Sequence, residues 1–306
     1  MPAQPAAPTE LPRAPTVADL IRHGAAAFER AGLAYGHGTD NAIDEAAALV
    51  FHALDLDHAQ AAAAYATRPD AGGVARVLAL FDERIERRVP AAYLMGRMWF
   101  AGLEFEVDSR VIVPRSPFAE LIHAEFRPWI EPERVRRILD IGTGSGCIAI
   151  ACAVAFPNAQ VDAVDVSPQA LEVARRNVAR HGLGARVHLH LGDVYEPLGD
   201  ARYDLIVSNP PYVSDAEMQS LPPEYLHEPD LALRAGADGL DVVRRILAGL
   251  PEHLEPHGAL FVEVGDSDVR VQEAFPDLPL TWLEFEHGGG GVFLLRGAES
   301  RSADGR

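Results

Sequence analysis

At 306 residues, with 48% hydrophobic and 24% charged residues, the chain is long enough to bury a sizeable core and to form one large domain beside a small one. A formal net charge of -18 argues against a protein that must present a positive stripe to nucleic-acid phosphates; it serves solubility or attracts a basic protein partner. No apolar run reaches the ~18 residues that span a bilayer, and the opening stretch MPAQPAAPTELPRAP lacks the charged-then-apolar layout of a secretory leader. A cytoplasmic protein without a membrane partner is expected, with residues 1–15 as a disordered tail.

Residues 16–88 carry helical signals throughout, with Thr16 and Asp40 as candidate caps, an alanine run at Ala61–Ala64 and apolar spacing in VADLIRHGAAAF and VARVLALFDERI, so a small helical domain is predicted there. Over 89–113 the composition turns aromatic and β-branched around Gly102, which predicts an ordered β-hairpin linker. Beyond Pro132 the pattern repeats strand, glycine turn and helix, the pattern of an open parallel α/β sheet with helices on both faces, assigned to residues 114–297. Its predicted strands are RRILDI, QVDAVDV, RVHLHL, YDLIVS, GALFVEV, LTWLEFE and GVFLLR, with helices at 168–181 and 238–252 among them. Only His287 and the glycines of 288–291 separate the last two strands, so they should close as an antiparallel hairpin at the sheet's edge, followed by a second disordered tail at 298–306.

The two cysteines, Cys147 and Cys152, stand five apart on a predicted helix, where their side chains diverge; this fits a reducing compartment and gives no zinc spacing. His188 and His190 share one strand face but lack a third ligand, so no metal is expected.

Asp140, Ile141, Gly142, Thr143, Gly144, Ser145 and Gly146 end one strand and open a helix. Glycines there let the backbone turn tightly against a ligand, with free amides of the helix terminus expected to face it. A dinucleotide loop would have glycine where Cys147 stands, which disfavours an oxidoreductase. The Gly-x-Gly-x-Gly form suits a nucleoside without pyrophosphate, such as S-adenosylmethionine, and looks like the first motif of methyltransferases. Asp165 ends the next strand, where ligands of open α/β sheets bind; it can accept ribose hydroxyls, or it or Ser167 can cap the following helix. Asp193 lines the adenine pocket or simply makes a turn.

YDLIVS then runs into Asn209, Pro210, Pro211 and Tyr212. Two prolines stiffen the loop and remove two backbone donors, leaving carbonyls available. The Asn209 side-chain oxygen and the Pro210 carbonyl can together accept both hydrogens of an NH₂ group, while Tyr212 stacks on its plane. A planar amide nitrogen is a poor nucleophile, and such a grip would aim it at a sulfonium methyl by alignment rather than by a strong base.

Behind a helical amino-terminal segment, the glycine motif and Asn-Pro-Pro-Tyr resemble the protein-glutamine methyltransferases of the HemK, PrmC and PrmB type, across about residues 16–297. The resemblance implies a class I methyltransferase (Rossmann-like) sheet ending in an antiparallel hairpin. It implies S-adenosylmethionine as cofactor, at Asp140, Gly142, Thr143, Gly144, Ser145, Gly146, Asp165, Asp193 and Asn209. The acceptor glutamine would meet Asn209, Pro210, Pro211 and Tyr212, with Asn209, Pro210 and Tyr212 catalytic. The segments at 92–94, 99–100 and 113–117 resemble the branch that modifies large-subunit ribosomal protein L three, a basic partner. Release-factor enzymes usually carry Pro-Arg-Pro-Asp-Thr-Glu where this chain has Pro-Arg-Ser-Pro-Phe-Ala-Glu. The runs at 221–225, 227–229 and 286–289 point the same way. By resemblance Arg115 and Glu120 line the cleft, the alternative being an interdomain ion pair, and Val194 stands where the release-factor enzymes often have an aromatic. A DNA adenine methyltransferase would use a similar proline loop, but the charge of -18 opposes it. A nonenzymatic ribosome-assembly module would not need Asn209 and Tyr212.

Overall fold

The computed structural model describes residues 11–286 and 288–300, and divides the chain into two compact units. The first comprises the chain up to Met98 together with Pro222–His227; the second comprises the remainder.

The first unit is helical: α1 (Val17–Ala31), α2 (Ala42–Ala53), α3 (Ala61–Ala64), α4 (Ala71–Arg87) and α5 (Ala91–Met95). Thr16 starts α1 as expected, its hydroxyl accepting from the Asp19 amide at 3.1 Å while Asp19 accepts from the Thr16 amide at 2.9 Å. At α2 the cap is Asn41 and not Asp40. Asn41 keeps an extended backbone and its oxygen accepts from the Asp44 amide at 2.9 Å, three residues on, which is the reach a cap requires. Leu20 and Phe28 of α1, Leu49 and Phe51 of α2, and Val77 and Phe81 of α4 form the core, with Phe28 and Phe81 edge to face at 5.2 Å.

Residues 11–15 are not a free tail: Pro15 is buried, Leu11 packs on this core, and Arg68 donates to the Ala14 carbonyl at 2.9 Å. Residues 1–10 and 301–306 of the expected tails lie outside the described residues. The stretch expected as hairpin from residue 89 begins instead as α5, started after Pro90 and stopped by Gly96 in the left-handed region.

Segment 222–227 joins this unit through buried charge, which the linear domain assignment did not anticipate. The Arg84 side chain, 1% exposed, meets Glu45 at 2.7 Å and Glu224 at 3.3 Å. Glu224 also accepts from the Ala34 amide at 3.0 Å and from Arg88 at 3.3 Å, and His227 bonds the Arg87 carbonyl at 2.7 Å.

The chain passes into the second unit within β1 (Arg97–Phe100), which pairs with β2 (Leu103–Glu106), so the hairpin is present but shorter than 89–113. There follow α6 (Phe118–His123), β3 (Arg137–Ile141), α7 (Cys147–Ala155), β4 (Gln160–Asp165), α8 (Pro168–Arg180), β5 (Val187–Leu191) and β6 (Tyr203–Ser208). The chain continues through α9 (Asp215–Met218), α10 (Asp230–Leu233), α11 (Asp241–His253), β7 (Leu254–Glu263), α12 (Asp268–Ala274), β8 (Thr281–Trp282), β9 (Val292–Arg296) and α13 (Gly297–Ser300). The sheet order is β5-β4-β3-β6-β7-β9-β8, with parallel pairing through β7 and β9 antiparallel to both neighbours. That is the class I methyltransferase arrangement with its closing hairpin.

Alternation puts Ile138, Ala163, Leu205, Val207 and Phe261 on the face covered by α6 and α7, and Leu139, Val164, Ile206, Leu260 and Phe293 on the face covered by α11 and α12. Both cysteines are on α7 and free. The predicted strand at 280–286 is only two residues long: after the Leu283 amide donates to Val292 at 2.9 Å, the chain leaves the ladder and the Glu286 amide bonds the Glu120 carboxylate at 3.1 Å. Residues 298–300, expected in the tail, belong to α13.

Candidate functional site

Strand order reverses at β3, so the crevice of the sheet opens where β3 and β6 end beside each other, Ile141 opposite Ser208. The Ser208 hydroxyl donates to the Ile141 carbonyl at 2.8 Å, tying the start of the Asn209 loop to the start of the glycine loop. A cavity of about 390 Å³ lies here, entirely within the second unit. Gly142, Gly144, Asp165, Asp193, Asn209 and Pro211 are in its wall, so residues from four strand ends meet as the sequence suggested.

The loop between β3 and α7 holds its shape through Gly142, Gly144 and Gly146, with φ of 74°, 54° and 80°, a region that penalises a side chain. Four of its amides are bonded within the protein. Those of Gly142 and Thr143 donate to the Val164 carbonyl at 2.9 and 3.0 Å, that of Gly144 donates to Asp165 at 2.8 Å, and that of Gly146 donates to the Thr143 carbonyl at 2.8 Å.

Asp165 also accepts from the Ser167 amide at 2.8 Å, while the Ser167 hydroxyl caps α8 by accepting from Ala170. The capping duty thus falls on Ser167. Each Asp165 oxygen has one protein donor and keeps a lone pair for a hydroxyl. Burial raises its carboxyl above the ordinary value, against the pull of the Ser167 and Gly144 amides.

Asp140, Thr143, Ser145 and Gly146 stand behind the wall. Asp140 accepts from the Thr143 hydroxyl at 2.6 Å and the Ala149 amide at 3.1 Å, which makes it the brace of the loop. Its other oxygen is buried with no partner among the described residues, and burial pushes the carboxyl up to about 7. The Ser145 carbonyl accepts from Asn177 at 2.9 Å.

Asp193 pairs with Arg245 at the cavity wall, and Val194, at φ 51°, lines it beside Val166. Asn209 is half-buried, Pro210 buried, and Tyr212 half-buried outside the cavity wall with its ring laid on Gly265, where a Cβ would come within 2.7 Å of the ring. Gly265, Ile112 and Leu231 escaped the sequence reading. Ile112 lies against Gly144, and Leu231, 55% exposed, is in the cavity wall. An exposed apolar residue just after the Glu-Pro pair at 228 and 229 was the available signal.

Arg115 is not in the wall of this cavity: both its terminal nitrogens bond Glu228 at 2.6 Å. Glu120 binds the 286 amide instead of lining this cavity. His190 bonds Asp162 at 2.8 Å and His188 bonds Gln160 at 3.0 Å. Among the described residues no group of three or more His, Cys, Asp or Glu is placed to share a metal, and no helix is long and apolar enough to cross a membrane.

Residues 126–236, which carry the glycine loop, Asp165 and the Asn209 loop, match the family model "Methyltransferase small domain". Over most of its length the chain is similar to proteins named ribosomal protein uL3 glutamine methyltransferase. That of Bordetella pertussis is 50% identical, covering 92% of this chain and 94% of the relative. That of Bradyrhizobium diazoefficiens is 50% identical (93% and 91%), and that of Xanthomonas campestris 49% (92% and 91%). Among solved structures, the catalytic domain of hMettl16 in complex with a MAT2A 3'UTR hairpin shares the fold, with a TM-score of 0.51 and 18% identity over 74% of this chain and 80% of that one.

Proposed function

This chain belongs to the ribosomal protein uL3 glutamine methyltransferase family, and from that membership we propose that it transfers a methyl group from S-adenosylmethionine to a glutamine side-chain amide of ribosomal protein uL3. The observation that carries the reading is one cavity whose wall holds the glycine loop, Asp165 and Asn209 together. The cavity suits the cofactor: Asp165 has lone pairs for two ribose hydroxyls, and Val166 and Val194 offer apolar flanks for a base. S-adenosylmethionine supplies an electrophilic methyl on a positively charged sulfur.

The chain's own residues do the rest. Asn209, through its side-chain oxygen, and Pro210, through its carbonyl, accept the two amide hydrogens, which leaves the nitrogen with one direction in which to react. Tyr212, braced on Gly265, stacks on the amide plane. Buried Pro210 keeps its carbonyl away from competing water. The amide proton leaves after attack, so no strong base is needed beforehand.

The test incubates the purified enzyme with methyl-labelled S-adenosylmethionine and, separately, uL3, a release factor and duplex DNA. Label is expected in uL3, at glutamine on peptide mapping; label in release factor or DNA with none in uL3 overturns the assignment.

A further inference from the structure

The cofactor cavity has two irregular walls. Arg110, Val111 and Ile112 come from a stretch without helix or strand between β2 and α6, and Pro229, Leu231 and Arg234 come from the short α10 region. The ion pairs of Arg110 with Asp108 and Glu172, and of Arg234 with Asp215 and Asp230, are solvent-exposed and hold little. A buried link joins the walls to each other. The Glu228 side chain, 0% exposed, accepts from the Val113 amide at 3.0 Å and from both arms of the Arg115 fork at 2.6 Å. It thus fixes the residue after Ile112 to the residue before Pro229.

We propose that Glu228 and Arg115 form a clasp that holds the two irregular walls together and sets how tightly the cavity retains S-adenosylmethionine. Both are positioning residues. This rests on the cofactor reading above, and three charge-assisted bonds on one buried carboxylate are the kind that hold a single geometry. Neither wall has a sheet ladder to fall back on, apart from one bridge between Val213 and Arg234. With the clasp cut, Ile112 and Leu231 lose their fixed separation and the cofactor dissociates faster.

The experiment compares wild type, Glu228→Gln and Arg115→Lys by calorimetric titration with S-adenosylmethionine and S-adenosylhomocysteine, by stopped-flow dissociation, and by steady-state methylation of uL3. Glu228→Gln loses the charge yet keeps an acceptor for Val113; Arg115→Lys keeps the charge and loses the fork. The clasp predicts that Glu228→Gln raises Kd and KM for the cofactor about tenfold or more, through faster dissociation, with kcat within about threefold, and that Arg115→Lys falls between it and wild type. Instability alone would lower kcat with the folded fraction and leave KM unchanged, and that result, or wild-type kinetics in both variants, overturns the clasp. A wild-type protein that binds neither nucleoside would defeat the cofactor reading itself, a separate outcome from the variants matching a wild type that binds.

Discussion

Gly265→Ala tests the placement of Tyr212 without touching the cavity. A Cβ at residue 265 would lie 2.7 Å from Tyr212 Cε2, 3.1 Å from Cζ and 3.3 Å from Cδ2. Carbon atoms rest about 3.5 Å apart, so the ring has to retreat by roughly 0.8 Å. The backbone φ of 52° adds strain, about 1–2 kcal/mol for a residue with a Cβ. Misplacement of a positioning group by ~1 Å costs ~100-fold in rate, so kcat for uL3 methylation should fall by roughly 30- to 100-fold. Because Gly265 is outside the cavity wall, the Kd for S-adenosylmethionine should stay within about threefold. The assay is single-turnover methyl transfer beside calorimetric titration, repeated in a Tyr212→Ala background. There Gly265→Ala should change the rate less than about threefold, since the ring it displaces is gone. A folded Gly265→Ala enzyme with wild-type kcat, or an undiminished loss in the Tyr212→Ala background, refutes the reasoning.

Asn209→Ala should abolish measurable turnover while cofactor affinity, measured by calorimetry, stays within about tenfold, or ~1.4 kcal/mol; retained turnover removes its proposed role. Glu224→Gln strips Arg84 of one buried carboxylate and leaves it Glu45, so urea unfolding of the helical unit should show a loss of about 2–3 kcal/mol; a change below ~0.5 kcal/mol contradicts this. Burial lifts the Glu263 carboxyl to about 7 from 4.5, against the Ser116 hydroxyl bond and the charge of Arg115. The folded chain then holds a proton that the unfolded chain has released, so this group's contribution is full below its unfolded value and is lost as pH rises toward 7. Glu263→Gln should therefore remove up to about 3 kcal/mol of the stability lost by wild type between about pH 5 and 7.5; an equal loss in both proteins on urea unfolding speaks against it.

The sheet was readable because buried parallel strands such as RILDI and YDLIVS are near-continuous apolar runs bounded by glycine or proline. Gly142, Gly144, Asp165 and Asn209 were readable as neighbours in one cavity wall because they stand at the ends of those runs. Local competition hid other elements. Around residues 91–95 the aromatic content suggested a strand, although Pro90 and Gly96 bracket a helix. Asp40 and Asn41 are both good caps, and the register of one helical turn chose between them. Gly265 as the seat of Tyr212, and Glu228 as the partner of Arg115, depend on residues 53 and 113 positions apart in the chain, which no local pattern encodes.

The helical unit is interrupted in sequence: Arg84 precedes its partner Glu224 by 140 residues. During synthesis this guanidinium has Glu45 at hand but is made long before Glu224, its second buried carboxylate, so the first unit to emerge cannot be the first to reach full stability. Cutting the chain near residue 98 would yield a fragment holding the helices and Glu45 but not Glu224, so the helical unit and the catalytic sheet have to be made, inherited and engineered as one piece.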